Sequence, residues 1–148
     1  MKMRREFLYS CEPDLDLMIA DYYAKTNAPE GQPPLKMVWK VYRELEQHNK
    51  LFIVTARDDT ILLGFAMYLL LEHPQHDLMP YAFCNTLAVG VEHRGQGIAT
   101  ALVKDAEVRL KAIGIEMIVH GHRMIYKVAP LFPRLGFSLI EQIYMKVL

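Results

Sequence analysis

The sequence predicts one α+β domain, a three-layer arrangement in which a mixed, mostly antiparallel sheet carries helices on both faces. Two patterns predict it. Apolar runs and amphipathic stretches follow one another in the order β-α-α-β-β-β-α-β-α-β, and the central strands are joined by short turns, as in an antiparallel meander. A strand, a glycine-rich turn, a helix and another strand then follow from residue 87 to residue 119, which is a β-α-β unit and calls for a parallel pair. The 148 residues, 52% of them hydrophobic, suffice for one core. No repeat or linker divides the chain, so a single domain over 1–148 is expected.

Each element has a local reason. Phe7-Leu8-Tyr9 reads as a short first strand. Pro13-Asp14 suits the first turn of a helix, whose inner face would carry Leu15, Ile19, Tyr22 and Tyr23. Residues 27–34 hold three prolines and a glycine and break the chain. The break is a surface loop on general grounds, or else a lid facing a substrate. A second helix follows, with Leu35, Val38, Trp39, Tyr42 and Leu45 inward. Leu51–Arg57 and Ile61–Glu72 form a hairpin around Asp58-Asp59-Thr60. Residues 73–80 are a loop whose His73 and His76 read as solvated rather than metal-bound, and Tyr81–Val89 is the next strand. Ile98–Ile113 is the clearest helix, with a stripe of Ile98, Leu102, Ala106, Leu110 and Ile113, an i,i+4 pair Glu107–Lys111, and Gly114 to end it. Ile115–Val119 is a strand. Met124–Leu135 is a helix cut short by Pro130 and Pro133, and Phe137–Val147 supplies one or two last strands.

Bulk properties exclude several classes. Seventeen basic and seventeen acidic residues cancel, so nucleic acid is not an expected partner. The longest apolar run, Ile61–Leu71, is far shorter than the roughly 20 residues of a membrane span, so no membrane is expected either. The basic N-terminus has no apolar stretch behind it, which argues against a signal peptide. Two cysteines in apolar surroundings, Cys11 and Cys84, read as buried thiols in a reducing compartment, and the expected location is cytoplasmic.

Leu87-Ala88-Val89-Gly90-Val91-Glu92-His93-Arg94-Gly95-Gln96-Gly97-Ile98-Ala99-Thr100 carries the chemistry. The first N–H groups of a helix lack internal partners, and the helix dipole puts partial positive charge at the same end. Gly95 and Gly97 let a ligand approach the backbone, and Arg94 adds a cation, so a pyrophosphate fits best. A triphosphate-binding P-loop would need Gly-Lys-Ser/Thr, which is absent. The dinucleotide fingerprint fails at its third glycine, where Thr100 stands, and Glu116 falls at the start of the next strand. A merely structural strand-to-helix turn is the bland alternative.

These residues, with Gly136-Phe137 further on, resemble the GCN5-related N-acetyltransferase (GNAT) family. Its core motif Q/R-x-x-G-x-G/A is matched by Arg94-x-x-Gly97-x-Ala99, and the element order also agrees. The resemblance implies acetyl-CoA as co-substrate, with its pyrophosphate on the N–H groups of Arg94, Gly95, Gln96, Gly97, Ile98, Ala99 and Thr100. Its pantetheine arm would lie along Leu87, Ala88 and Val89, in a splay between two parallel strands. The acceptor, a primary amine of a small molecule or peptide, would enter from the other side. A homodimer is one expectation, since dimers are frequent in the family. No metal is implied.

Amine acetylation needs a proton removed from the acceptor and a stabilised thiolate. The resemblance implies a carboxylate on the strand before the turn and a tyrosine four residues before Gly136. Here Asn85 and Phe132 stand in those places. His120, His122 and Tyr126 are then the candidates for acid–base work. An HxH metal site lacks a third ligand, and Cys84 as a nucleophile lacks a nearby base. Two readings stay open: an active N-acetyltransferase, or a GNAT-like acyl-CoA-binding or interaction protein with weak or no catalysis.

Overall fold

The computed structural model describes residues 1–24, 36–121, 129–141 and 146. The elements are β1 (Lys2–Glu6), α1 (Leu8–Ala24), α2 (Trp39–Gln47), β2 (Leu51–Asp58), β3 (Ile61–His73), β4 (Met79–Val89), α3 (Ile98–Ala112), β5 (Met117–His120) and α4 (Leu131–Arg134). Among the described residues the strands form a five-stranded sheet in the order β1-β2-β3-β4-β5. All pairs are antiparallel except β4–β5, which is parallel and crosses over through α3. The expected α+β architecture is present.

The sheet separates two cores. On one face α3 sends Ile98, Leu102, Ala106 and Leu110 against Val54, Ala66, Tyr68 and Cys84. On the other, Leu8, Cys11, Leu15 and Ile19 of α1 meet Ile53, Phe65 and Met67, with Trp39, Tyr42 and Leu45 of α2 packed around them. Cys11 and Cys84 are buried and unbridged. Among the described residues no helix is long and apolar enough to cross a membrane.

Two bulges let this sandwich form. Ala56 pairs with Gly64 and Arg57 with Leu62, so Leu63 is an extra residue in β3. Met67 pairs with Thr86 and Tyr68 with Cys84, so Asn85 is an extra residue in β4. Each extra residue reverses the in–out alternation of its strand. Hence Ala82 and Cys84 face α3, and beyond the bulge Leu87 and Val89 do so as well.

Gly64 allows α3 to sit close. A Cβ there would lie 2.8 Å from the Ala88 carbonyl oxygen and 3.3 Å from both Ile98 and Leu102. Gly64→Ala must therefore push α3 away from the sheet. The expected loss is about 1–3 kcal/mol, the range for an overpacked core. Chemical denaturation checks it, and an unchanged midpoint would show that the layers separate freely.

Several sequence expectations are corrected. The first strand is Lys2–Glu6, and Phe7-Leu8-Tyr9 instead leads into α1. Leu8 is fully buried, and its N–H donates to Glu46 Oε1 at 2.6 Å. That distant cap starts the helix early and leaves Pro13 inside it. Val38 and Ile113 flank their helices and are 54% and 55% exposed, not inward. The ion pair seen along α3 is Asp105–Arg109, at 2.5 Å. Residues 137–141 form no strand, and the helix expected from Met124 lies largely outside the described residues. The same holds for Leu35 and for the proline-containing break at 27–34.

Candidate active site

The glycine turn has the geometry of an anion cradle. After β4, Gly90 is held by its N–H to the Leu63 carbonyl at 2.9 Å, and Val91–His93 make one 3-10 turn. Gly95 and Gly97 then adopt left-handed φ angles of 75° and 78°. A Cβ at either would touch nothing within 4 Å, so the backbone conformation, not crowding, demands glycine. Gly97 is the N-cap of α3 and receives no side-chain cap. Beyond the Val91–His93 turn, no backbone acceptor among the described residues meets the N–H groups of residues 95–100. These donors stand beside the positive end of a 15-residue helix. Arg94 is exposed, with its guanidinium 5.4 Å from the Tyr22 ring and Nε 3.4 Å from the Val89 carbonyl. Ile98, 3% exposed, anchors the cradle to the sheet.

The strand that leads into the cradle has one edge toward β5. Among the described residues β4 and β5 pair over Tyr81–Cys84 and Met117–His120. Gly90 bonds back to β3, so by alternation the backbone groups of Ala88 also face β3, whereas those of Leu87 and Val89 face the β5 side. The Val89 carbonyl there accepts from Arg94 Nε at 3.4 Å, Leu87 has no backbone partner on that side among the described residues, and Ala88 contributes only its place between them. From Val89 to Asn85 this edge spans about 13 Å, at roughly 3.3 Å per residue.

Two polar groups mark the end of this pairing. Asn85, exposed at its bulge, donates from Nδ2 to the Tyr42 hydroxyl of α2 at 3.0 Å. Tyr42 in turn rests against Trp39, whose indole N–H donates to Asp16 at 2.7 Å. His120, at the last paired position of β5, packs against Tyr68, Phe132 and Phe137. Burial lowers its imidazole pKa to about 4. At neutral pH the ring is therefore uncharged. His122 and Tyr126 lie outside the described residues. Cys84 is buried beside Tyr68, and burial pushes its thiol up to about 12, unsuited to a nucleophile. Gly64 and Tyr68 escaped the sequence reading. A lone glycine inside an apolar strand was the signal for the first.

The loop histidines are different. His73 and His76 stack with ring centroids 4.3 Å apart, and His73 Nδ1 accepts the Gln75 N–H. Among the described residues no three His, Cys, Asp or Glu side chains converge as a metal site. Two open cavities of about 530 and 560 Å³ lie near the β1 edge, lined by Arg57 and Tyr9 or by Arg5 and Arg109, away from the cradle.

Comparison with known proteins decides the family. The sequence profile of the Acetyltransferase (GNAT) family matches residues 15–137. The chain belongs to the GNAT acetyltransferase family. A search of curated protein sequences finds no significant match. Among solved structures, a transcriptional regulator from Bacillus halodurans C-125 superposes with a TM-score of 0.75 at 18% identity, covering 99% of each chain. A ribosomal-protein-alanine N-acetyltransferase from Brucella melitensis biovar Abortus 2308 gives 0.73 at 18% identity, covering 100% of both. A glucosamine-6-phosphate N-acetyltransferase from Arabidopsis thaliana gives 0.73 at 10%, covering 99% of this chain and 97% of that one. At these identities the GNAT likeness is one of fold.

Proposed function

We propose that this GNAT protein moves an acetyl group from acetyl-CoA to a primary amine of a small molecule or peptide, by direct attack. The observation that supports the reading is the left-handed glycine turn at the start of α3, directly after β4. The N–H groups of Arg94, Gly95, Gln96, Gly97, Ile98, Ala99 and Thr100 would hold the ligand, next to the β5-side edge of Leu87 and Val89. The cradle suits a pyrophosphate, and the strand edge suits the amides of a pantetheine arm. Acetyl-CoA supplies an activated thioester. The chain aligns it, excludes water with Phe132 and Phe137, and presents Asn85 and Tyr42 on the α2 side, where the amine enters. His120, His122 and Tyr126 are the side chains proposed to serve the chemistry. Two buried thiols fit a reducing cytoplasm.

Isothermal titration with acetyl-CoA tests the site. Arg94→Ala should weaken binding by about 1–3 kcal/mol, the range for a charge-assisted bond. An unchanged affinity would place the pyrophosphate elsewhere. A second reading, an acyl-CoA-binding protein with weak or no catalysis, is favoured by Asn85, which cannot take a proton. A thiol-release assay over a panel of amines separates the two. Binding without turnover on any amine supports the second.

A further inference from the structure

Three side chains stand abreast at the end of the β4–β5 pairing. Tyr68 of β3 pairs with Cys84 of β4, and Cys84 pairs with His120 of β5, so all three project to the α3 face in one row. The row lies where the β4–β5 ladder ends and beside the Asn85 bulge. Tyr68 is fully buried. Its hydroxyl lies 3.4 Å from His120 Nε2. Cys84 Sγ lies 3.6 Å from the Thr86 carbonyl, to which its S–H is directed. His120 Nδ1 is buried and has no hydrogen-bond partner among the described residues.

These contacts allow two tautomers. With the Tyr68 proton directed to the Cys84 sulfur, Nε2–H donates to the hydroxyl; with it directed to Nε2, the ring proton sits on Nδ1. A neutral imidazole nitrogen is the better acceptor, which favours the second. Nδ1 then carries the ring proton, as a donor with nothing among the described residues to receive it. Phe132 and Phe137, each with its ring 5.0 Å from the imidazole, keep water from it. A buried, unsatisfied donor is uncommon and calls for a partner.

We propose that the partner is sulfur: His120 Nδ1–H hydrogen bonds the thiol end of CoA and stabilises the departing thiolate, and Tyr68 positions it by holding the tautomer. This rests on the donor-site reading above. As the amine nitrogen bonds to the acetyl carbon, the C–S bond breaks and its electron pair leaves on sulfur. The proton lost by the amine passes to solvent. The imidazole therefore gives up no proton, and it remains neutral throughout. This accounts for a histidine at this position whose burial disfavours the charged ring.

The test uses the whole chain with 15N-labelled histidine. Long-range 1H–15N spectra should show His120 as the Nδ1–H tautomer. CoA should move its Nδ1 resonance, whereas desulfo-CoA, which keeps the pyrophosphate and pantetheine but lacks sulfur, should bind and leave it in place. Equal responses to the two, or an Nε2–H tautomer, would overturn the inference while leaving the donor site intact. Failure of CoA to bind would overturn both. In turnover, His120→Leu should lower kcat roughly 100-fold with KM for acetyl-CoA little changed, as for loss of a donor to developing charge. His120→Asn, whose side-chain amide can replace the Nδ1 donor, should recover part of that loss. A rise in KM with kcat unchanged would contradict the assignment.

Discussion

Arg57→Ala should cost about 3–5 kcal/mol, the range for breaking a buried ion pair from one side. Against a typical total of roughly 5–15 kcal/mol, that can unfold the domain at physiological temperature. The Arg57 side chain is only 6% exposed and ties three elements together. Its Nε donates to Glu6 of β1 at 2.6 Å, Nη2 to Asp14 of α1 at 2.8 Å, and Nη1 to the Thr60 carbonyl at 2.7 Å. Thr55 adds a further bond to Glu6 at 2.6 Å. The hydrogen bond to Glu6 is the chief reason that the guanidinium is held more firmly charged than usual. Without it, a carboxylate with a 12% exposed side chain loses its counterion. The Glu6→Gln/Arg57→Met double variant removes both charges and should regain at least half of the loss. Urea denaturation measures both variants. A loss below about 1 kcal/mol for Arg57→Ala would mean that water reaches Glu6 freely.

The second large effect is acid sensitivity. Burial lowers His120 from 6.5 to about 4. The unfolded chain thus takes a proton near pH 6.5 that the native protein refuses until near pH 4. The unfolded state binds more protons throughout that window, so stability falls as pH drops across it. At roughly 1.4 kcal/mol per pH unit, the loss approaches about 3 kcal/mol. Glu6 adds to it at lower pH. Burial alone would raise its pKa, but the bonds from Arg57 and Thr55 outweigh this and hold it below its ordinary value. Its contribution is present above the unfolded carboxylate pKa and disappears as pH falls through the native one. Denaturation midpoints between pH 7 and 4 should fall for the native chain and fall less for His120→Leu. A flat profile for the native chain would show that the ring is solvated.

What could be read in advance follows from the range of the responsible interactions. The turn at residues 94–100 was legible because its chemistry is local: two glycines, an arginine and a helix start lie within a few residues. The meander was legible from apolar runs and short turns. The start of α1 was not, because its cap, Glu46, lies 38 positions away. Nor was the role of Arg57, which looks like a polar strand end until Glu6 and Asp14 surround it. The environment of His120 was hidden for the same reason. β5 is four residues long, all half-buried, and carries no alternation from which a side could be read.

The Asn85 bulge has a consequence for how this gene can change. Downstream of it, strand β4 runs one residue out of phase with its upstream half. A substitution at Asn85 leaves that phase alone. Deletion of the Asn85 codon would close the bulge into a regular ladder, with Leu87 and Val89 still opposite Ala66 and Gly64. The core layers would keep their residues and the side chain that reaches Tyr42 would be lost. Descendants that drop this codon should therefore stay folded and lose only the tie between strand β4 and helix α2.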